Sequence, residues 1–446
     1  MFFSDYLPHY QTVKAVFPNN PICFQNDITH ETTNIIKLLE KNVPEFRDGA
    51  VSQLHPLLIN GHLQTVYASL RKFTDIDNVL YKRLVIHYAH GGEGTLDFVV
   101  KSKLPDELQY TPLSQKFLPS HGQYSFISPD DTRLKSTDDK PMLIVLHGLT
   151  GGSHESYVRS LVHNITQNYG FEACVLNSRG CCESSITTPM LYNGGWTNDV
   201  RYCVKKLRHM YPNRKFYMAG FSLGASVMVN YLGEEGDNSD ISSAVSVSVP
   251  WDLAKSGFSI NESLLGRYIY SPALSKNLLT LTDKHIENLR HNKLFTDYEN
   301  KSSIIKSIKA FDDAFTGPMF GYEDATTYYN DASPYKRICG IRTPLLAINA
   351  VDDPITGSAN LPIEEIIKNP YTTLIETDIG GHVAWFMNEY GQRWYVDPIC
   401  KYFSTFHREI VSKNLKPVVD PSHLPSDPVP NVMTTLPDND KQSLIE

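Results

Sequence analysis

The feature that most constrains this fold is a series of short apolar runs that begins near residue 140 and alternates with helical stretches. Six runs rich in aliphatic and β-branched residues lie at 142–146, 172–176, 215–218, 244–249, 345–349 and 373–376. Strands that are apolar on both faces and separated by helices are typical of a parallel sheet covered on both sides. The sequence therefore predicts an α/β fold with a mostly parallel central sheet.

Composition favours a folded protein and excludes a large basic surface. The 446 residues include 41 Lys and Arg against 49 Asp and Glu, which gives a formal net charge of −8. Hydrophobic residues make up 41% of the chain, far above the content of disordered proteins. A nucleic-acid-binding protein needs clustered positive charge, whereas the basic residues here are scattered. We therefore expect no nucleic-acid partner.

The cysteines and the N-terminal sequence favour an intracellular protein. There are seven cysteines, an odd number, and none forms a C-x-x-C pair. Neither a zinc site nor a disulfide framework fits this pattern, and we expect no metal and no cofactor. The first 20 residues lack the charged and apolar regions of a secretory signal, and no run reaches the length of a membrane-spanning helix.

The strongest local motif is Gly-Phe-Ser-Leu-Gly at 220–224, which follows the run 215–218 and opens a helical stretch at 225–232. A serine between two glycines at a strand-to-helix turn is typical of a nucleophile elbow. The turn is too tight for side chains on either side, and it presents the serine hydroxyl at the end of the sheet. Ser222 is therefore the candidate nucleophile. An ordinary small-residue turn produces the same local pattern.

A serine nucleophile needs a general base, and the base needs a carboxylate that orients it. His382 follows two glycines after the run 373–376, and it is the candidate base. Asp352 and Asp353 both follow the run 345–349. We predict Asp353, which directly precedes Pro354, as the acid and Asp352 as a supporting or turn residue, although the sequence leaves this choice open.

An oxyanion hole requires two backbone N–H donors, one after the nucleophile and one from the loop after an upstream strand. Leu223 supplies the first. The sequence His-Gly-Leu-Thr-Gly-Gly at 147–152 follows the run 142–146, and the N–H of Leu149 is the candidate for the second. The spacing is not that of a phosphate-binding P-loop. The predicted site residues agree in identity, chain order and position after strands.

These motifs resemble those of the α/β-hydrolase superfamily. The similarity extends to Asn-Gly-His-Leu-Gln-Thr at 60–65, Asn-Ser-Arg-Gly-Cys at 177–181 and Val-Asp-Asp-Pro at 351–354. Within the superfamily, the chain is similar to a group that includes bacterial YheT-type hydrolases, animal ABHD3-like lipases and fungal medium-chain fatty-acid ethyl ester synthase/esterases. This resemblance implies an α/β-hydrolase fold with a helical lid, and it places the nucleophile, acid and base on Ser222, Asp353 and His382.

The same resemblance implies a serine esterase or lipase that acts on medium-chain acyl esters, such as monoacylglycerols or fatty-acid ethyl esters. Water, or a small alcohol, would take the acyl group from Ser222. The expected partners are an acyl ester substrate and, through peripheral association, a lipid droplet or organelle membrane. Two alternatives remain: a hydrolase of thioesters or other acyl substrates on the same fold, and a catalytically silent protein that binds lipid or a partner.

We expect a single catalytic domain at 81–412, because the candidate site draws on residues from 147 to 382. Residues 1–80 are predicted to be an extension that packs on the core, and 104–138 a surface insertion. The long excursion at about 251–343, here called the lid, contains many aromatic residues that either pack together or line an acyl pocket. The proline-rich segment 413–446 is predicted to be disordered.

Five further residues are predicted to have supporting roles. Arg179 is predicted to anchor the turn after the run 172–176, and the adjacent Cys181 and Cys182 to be small turn residues. His62 and Gln64 are predicted to tie the N-terminal segment to the core.

Overall fold

The six apolar runs form six neighbouring parallel strands at the centre of an 11-stranded sheet. The computed structural model describes residues 9–101, 111–114, 117–120, 123–357, 360–426 and 428–433. The strands are β1 His9–Val16, β2 Cys23–Gln25, β3 Thr32–Asn34, β4 Val51–Leu54, β5 Leu80–His87, β6 Glu93–Val100, β7 Gln123–Phe126, β8 Met142–Leu146, β9 Glu172–Asn177, β10 Phe216–Phe221, β11 Ile241–Val247, β12 Leu345–Ala350, β13 Thr372–Thr377 and β14 Lys416–Val418. The order in the large sheet is β4-β1-β13-β12-β11-β10-β8-β9-β6-β5-β7.

The central strands are buried because both of their faces are apolar. Every residue of β8, β10 and β12 is buried. Helices cover both faces of such a sheet, since each strand-to-strand crossover returns across the sheet. The predicted α/β fold with a mostly parallel sheet is therefore confirmed.

Several helices begin where a polar side chain caps their first turn. They are α1 Ile35–Asn42, α2 Gly61–Leu70, α3 Ser156–Asn168, α4 Asn198–Met210, α5 Leu223–Glu235, α6 Leu253–Glu262, α7 Ser271–Leu289, α8 Tyr298–Ile304, α9 Ile308–Phe311, α10 Gly317–Met319, α11 Ala325–Ala332, α12 Ile363–Lys368 and α13 Val396–Phe406. Asn34, Asn60 and Asp252 accept hydrogen bonds from backbone N–H groups at the starts of α1, α2 and α6. Such caps satisfy donors that have no partner within the helix.

A buried ion pair fixes the register of the antiparallel hairpin formed by β5 and β6. Arg83 lies directly opposite Asp97 in the antiparallel ladder, and its Nε is 2.7 Å from Asp97 Oδ1. Neither side chain is exposed. A shift of one residue would move each charge to the other face of the sheet and leave it without its partner.

The N-terminal segment contributes a strand to the central sheet. β1 pairs antiparallel with β13, and β4 pairs with β1 on the outer side. Val13 and Val16 of β1 are buried in the core. The extension thus contributes a strand to the sheet itself, which the sequence did not indicate, because polar residues alternate with the buried ones in this half-buried strand.

The insertion and the tail are also more ordered than expected in the parts that the structure describes. β7, within 104–138, adds a parallel edge strand to β5. In the tail, β14 pairs with β2, Val432 is buried, and Arg337 Nε donates to the carbonyl of Pro430 over 3.0 Å. The prediction of a disordered tail is wrong for 413–426 and 428–433, because these contacts offset its chain entropy. Residues 434–446 lie outside the described range.

The lid, residues 251–343, follows β11 and contains helices α6 to α11. Residues 278–289 form most of α7, whereas residues 303–311 are divided between α8 and α9. Phe295, Phe311 and Phe315 form a lid cluster separate from the main core. Among the residues described, no helix is long and apolar enough to cross a membrane.

Candidate active site

Ser222 occupies a strained turn between β10 and α5. Its backbone adopts φ 50° and ψ −119°, a conformation that residues with a side chain rarely adopt. Its N–H donates to the carbonyl of Val247 in β11 over 2.9 Å, which holds the turn against the sheet. A side chain at Gly220 would place a Cβ 2.7 Å from Cα of Ala225. The flanking glycine is therefore required by packing, as the motif predicts.

The structure brings the three residues predicted for the triad together. His382 Nε2 lies 2.8 Å from Ser222 Oγ, and His382 Nδ1 lies 2.8 Å from Asp353 Oδ2. Since the carboxylate can only accept, Nδ1 carries the proton and Nε2 is free to accept from the serine hydroxyl. The arrangement is suited to removing a proton from Ser222.

Asp353 is buried and held as a carboxylate. Its Oδ1 accepts from the N–H groups of Ile355 and Thr356 at 2.8 and 3.1 Å. Burial alone raises the pKa of this carboxyl, but the adjacent His382 and the two N–H donors outweigh burial and keep the pKa below its usual value. A negative charge therefore faces the imidazole at neutral pH.

Asp352 lies beside the triad without contacting the histidine ring in the way that Asp353 does. Its Oδ1 accepts from the N–H groups of Gly380 and Gly381 at 2.9 and 3.0 Å. Burial raises the pKa of Asp352, while these N–H donors act in the opposite direction. Asp352 thus fixes the loop that carries His382, which is the supporting position expected for it.

The loop 147–152 approaches Ser222 and is held by two tyrosine hydroxyls. Tyr157 Oη accepts from the N–H of Gly148 at 2.9 Å, and Tyr192 Oη accepts from the N–H of Thr150 at 2.8 Å. Leu149 lies between these two anchors. The backbone of the predicted donor is therefore positioned by neighbours on both sides.

Buried His147 connects this loop to the one after β9. Burial lowers the pKa of His147 to about 4, so the ring is neutral at physiological pH. Its Nδ1 donates to the carbonyl of Gly148, and its Nε2 accepts from the N–H of Ser178 at 3.0 Å. Leu223, the second predicted donor, is the first residue of α5, where N–H groups have no acceptor within the helix.

A cavity of about 90 Å³ opens onto the triad and the two predicted oxyanion donors. Its lining is predominantly apolar: Leu149, Ser222, Leu223, Pro250, Leu253, Ser256, Gly257, Ile260, Leu274, Ile308, Tyr329, Ile355 and His382. Most of the apolar wall comes from the lid. Such a wall suits a hydrocarbon chain attached to the group that Ser222 attacks.

Most of the aromatic side chains described in the lid pack outside the cavity. Phe311 and Phe315 pack in the lid cluster, and Phe320 packs with Trp196 in another. The side chain of Phe258 lies outside the described residues. The cavity wall is mainly aliphatic, and Tyr329 is its aromatic member among the residues described.

Comparison with known proteins decides the family. Residues 141–388, more than half of the chain, match the family model described as alpha/beta hydrolase fold. The chain belongs to this family. The resemblance inferred from the motifs is thereby confirmed.

Curated relatives of this α/β-hydrolase include several lipid-ester enzymes. A monoacylglycerol lipase of Saccharomyces cerevisiae is 51% identical over 447 residues, covering 98% of this chain and 99% of the relative. Medium-chain fatty acid ethyl ester synthase/esterase 2 of the same yeast is 32% identical and covers 85% of this chain and 91% of the relative. Human phospholipase ABHD3 is 32% identical, over 62% of this chain and 67% of the relative.

The site of this α/β-hydrolase also depends on α2, in which motif reasoning gave Thr65 no role. Thr65 Oγ1 accepts from the N–H of His382 at 2.9 Å and donates to the carbonyl of Gly61. Gln64, predicted to tie this segment to the core, accepts from the N–H of Phe386 at 2.8 Å and is fully buried. The motif at 60–65 indicated that this segment is important, but the sequence does not show which residues it contacts.

Ser248 was also missed. It follows β11 with a positive φ of 54°, and its Oγ accepts from the N–H of Val383 at 3.0 Å. His382 is thus flanked by two hydroxyl groups that hold its own and the following peptide. No local motif distinguishes Ser248 from the other serines of the chain.

Arg179 anchors a turn, as predicted. Its guanidinium forms two hydrogen bonds with Asp199, at 2.8 and 2.9 Å, and the pair is buried. Arg179 does not line the cavity beside Ser222. Cys181 is fully buried in the lid cluster, which agrees with a packing role.

Proposed function

We propose that this protein is a serine carboxylic-ester hydrolase that cleaves monoacylglycerols and other medium-chain acyl esters through an acyl-Ser222 intermediate. The observation that carries the proposal is the pair of 2.8 Å contacts that join Ser222, His382 and Asp353 at the mouth of an apolar cavity. The acylglycerol and fatty-acid ester activities named for the two yeast relatives support the substrate class.

In the acylation step, His382 takes the proton of Ser222 as Oγ attacks the ester carbonyl carbon. The buried charge of Asp353 stabilises the imidazolium that forms. The N–H groups of Leu149 and Leu223 hold the oxyanion, and each such donor contributes on the order of 3 kcal/mol, about a hundredfold in rate. His382 then protonates the departing alcohol.

In the deacylation step, His382 removes a proton from water as the water attacks the acyl-Ser222 carbonyl. The second tetrahedral intermediate collapses to the free acid, and Ser222 regains its proton. A small alcohol that enters in place of water would form a new ester by the same steps. The name of the second yeast relative, an ethyl ester synthase/esterase, supports testing this acyl transfer.

We assign the catalytic role to a single domain at 81–412, completed by β1, β4 and α2 from the N-terminal segment. Medium-chain esters partition into lipid surfaces, and we propose that the enzyme meets them there by peripheral association with a lipid droplet or organelle membrane. The aliphatic wall contributed by the lid would receive the acyl chain.

Labelling with a fluorophosphonate probe tests whether Ser222 is an activated nucleophile. We expect the wild-type protein to be labelled and Ser222→Ala to remain unlabelled, with Ser69→Ala, an exposed serine, as the control that keeps labelling. Absence of labelling in the wild type would favour a catalytically silent protein instead.

A series of p-nitrophenyl esters and acyl thioesters of increasing chain length, with and without ethanol, separates the remaining alternatives. We expect the highest kcat/KM for medium-chain oxygen esters and formation of ethyl esters in ethanol. A clear preference for thioesters would favour the other hydrolase activity on this fold.

A further inference from the structure

Two short segments beside the active site expose large apolar side chains to solvent. One runs from residue 57 through α2, and the other is the lid turn 264–269 between α6 and α7. Together they carry eight large hydrophobic residues in exposed positions: Leu57, Ile59, Leu63, Leu70, Leu264, Leu265, Tyr268 and Ile269. A patch of this kind marks a site of contact with another apolar surface.

Helix α2 buries polar side chains and exposes large apolar side chains on its outer side. Its buried residues are Gly61, Gln64 and Thr65, and the last two bind the loop of His382. Leu63 and Leu70, seven positions apart and therefore on one face, are 41% and 77% exposed. Leu63 and Leu70 therefore point away from the core, whereas Tyr67 and Ala68 of the same helix pack against the cluster that contains Phe386.

The lid turn also exposes large apolar side chains. Gly266 and Tyr270 are buried, whereas Leu264 and Tyr268 are 73% and 70% exposed. Gly266 packs against the carbonyl oxygen of Ile260, a residue that lines the cavity beside Ser222. The exposed turn is therefore the outer surface of the wall of this cavity.

A direct contact joins the two segments. His62 of α2 stacks on Tyr270 with ring centroids 5.8 Å apart and an interplanar angle of 7°. His62 Nδ1 also lies 3.0 Å from Tyr270 Oη. Because Leu63 follows His62 and Ile269 precedes Tyr270, the stack brings the two apolar segments together into one face.

The two segments that form this face carry basic residues and no acidic residue in their own sequence. Neither 51–74 nor 263–282 contains an Asp or Glu, although the chain has a net charge of −8. The first segment contains Arg71 and Lys72, and the second contains Arg267 and Lys276. Arg71 lies 3.7 Å from Asp75, which directly follows the first segment, so the face is only weakly basic. Exposed aliphatic and tyrosine side chains on weakly basic segments suit a phospholipid surface.

We propose that α2 with residues 57–60 and the lid turn 264–269 form a docking face for the surface of a phospholipid bilayer. The proposal rests on the proposed function, since it identifies the surface that brings the acyl pocket to esters dissolved in lipid. Docking through this face would set the cavity wall at the lipid boundary. It would also bring the lipid surface close to the contact between His62 and Tyr270. This contact links the lid to α2, the helix that holds the His382 loop.

Vesicle cosedimentation tests the face directly. The vesicles contain phosphatidylcholine with a minor fraction of phosphatidylserine, and binding is measured in the Ser222→Ala background so that the lipid stays intact. We expect the triple variant Leu70→Ser, Leu264→Ser and Tyr268→Ser to bind at least about tenfold more weakly than the parent. The matched control carries Ile28→Ser, Val418→Ser and Met433→Ser, which are exposed apolar positions outside the face, and should bind like the parent.

Hydrolysis of a short soluble ester, p-nitrophenyl butyrate, by the same variants with Ser222 restored shows that the site remains folded, and we expect unchanged rates. Equal vesicle binding by the face variant and the control would overturn the proposal, as would no binding by the parent. A parent that is dimeric and a face variant that is monomeric would also overturn it, because a second copy would then cover the face. If the parent binds vesicles but hydrolyses no ester, the proposed function fails while the docking face stands.

Discussion

At the residue scale, Asp352 and Asp353 hold different parts of the site although they are neighbours in the chain. Asp353 faces the imidazole of His382 at 2.8 Å, whereas Asp352 accepts from two peptide N–H groups of the loop that carries this histidine. One carboxylate thus sets the tautomer of the base, and the other sets the position of its backbone. The two roles differ because the Asp353 carboxylate accepts from the imidazole, whereas the Asp352 carboxylate accepts from backbone N–H groups.

This division predicts different effects for two conservative substitutions. Asp353→Asn should lower kcat by about a thousandfold or more, because an amide can stabilise neither the required tautomer nor the imidazolium. Asp352→Asn should lower kcat by no more than about tenfold, since the amide oxygen can still accept both N–H groups. Steady-state hydrolysis of p-nitrophenyl octanoate measures both. The reverse order of effects would assign the acid to Asp352.

At the element scale, α2 acts as a support for the catalytic loop. Thr65 accepts from the N–H of His382, and Gln64 accepts from the N–H of Phe386, so one helix turn fixes both ends of the segment 382–386. The sequence motif at 60–65 was visible, but which backbone it binds depends on a contact between residues more than 300 positions apart. A contact between residues so far apart in the chain cannot be predicted from a local sequence pattern.

Removing the hydroxyl of Thr65 tests this support. Thr65→Val keeps the shape of the side chain but leaves the N–H of His382 without its acceptor, which costs about 1–3 kcal/mol if the loop stays in place. We expect kcat to fall about tenfold or more with little change in KM, and Thr65→Ser to restore it. If Thr65→Val lowers only thermal stability and leaves kcat unchanged, Thr65 does not position the base.

The lid contains a buried carboxyl next to the acyl cavity. Asp312 accepts from Tyr329 Oη at 2.6 Å, and Tyr329 lines the cavity. Burial raises the pKa of Asp312 to about 6, despite the opposing effect of hydrogen bonds from Thr316 and Tyr329. Ionising this group at neutral pH therefore opposes folding of the lid.

The sign of this effect can be measured. A carboxyl with a raised pKa in the folded state favours folding most below the unfolded pKa near 4, and this contribution is lost as pH rises through about 6. Asp312→Asn, which does not titrate, should therefore gain stability relative to the wild type between pH 4 and 7, on the order of 2 to 3 kcal/mol. Urea unfolding at several pH values gives both curves. If the unfolding free energies of the two proteins changed with pH in the same way, the ionisation of Asp312 would not contribute to the pH dependence of stability.

At the scale of the whole molecule, the parallel centre of the sheet was predictable and its edges were not. Runs such as 142–146 are apolar on both faces, so their burial follows from composition alone. β1 alternates buried valines with exposed polar residues, and its partner β13 lies more than 350 positions away. The meeting of Ser222, Asp353 and His382 was predictable because each lies within about five residues after the end of a central strand. Thr65 and Ser248 are instead defined only by the folded loop that they hold.

The edge assignment predicts that the N-terminal strand is needed for stability. Val13→Ala should lower the free energy of unfolding by about 2 kcal/mol, because Val13 is buried against the sheet. Tyr10→Ala, in the same strand but 51% exposed, should change it by less than about 0.5 kcal/mol. Urea denaturation compares the two. Equal, small effects would indicate that β1 can leave the sheet without loss.

We propose that Ser222, activated by His382 and Asp353, is the nucleophile for all ester hydrolysis by this protein. The most direct test is the hydrolysis of monooctanoylglycerol and p-nitrophenyl octanoate by Ser222→Ala, with circular dichroism to verify folding. We expect the folded variant to lose at least about a thousandfold in kcat/KM on both substrates. A folded Ser222→Ala protein that retains wild-type hydrolysis would contradict it.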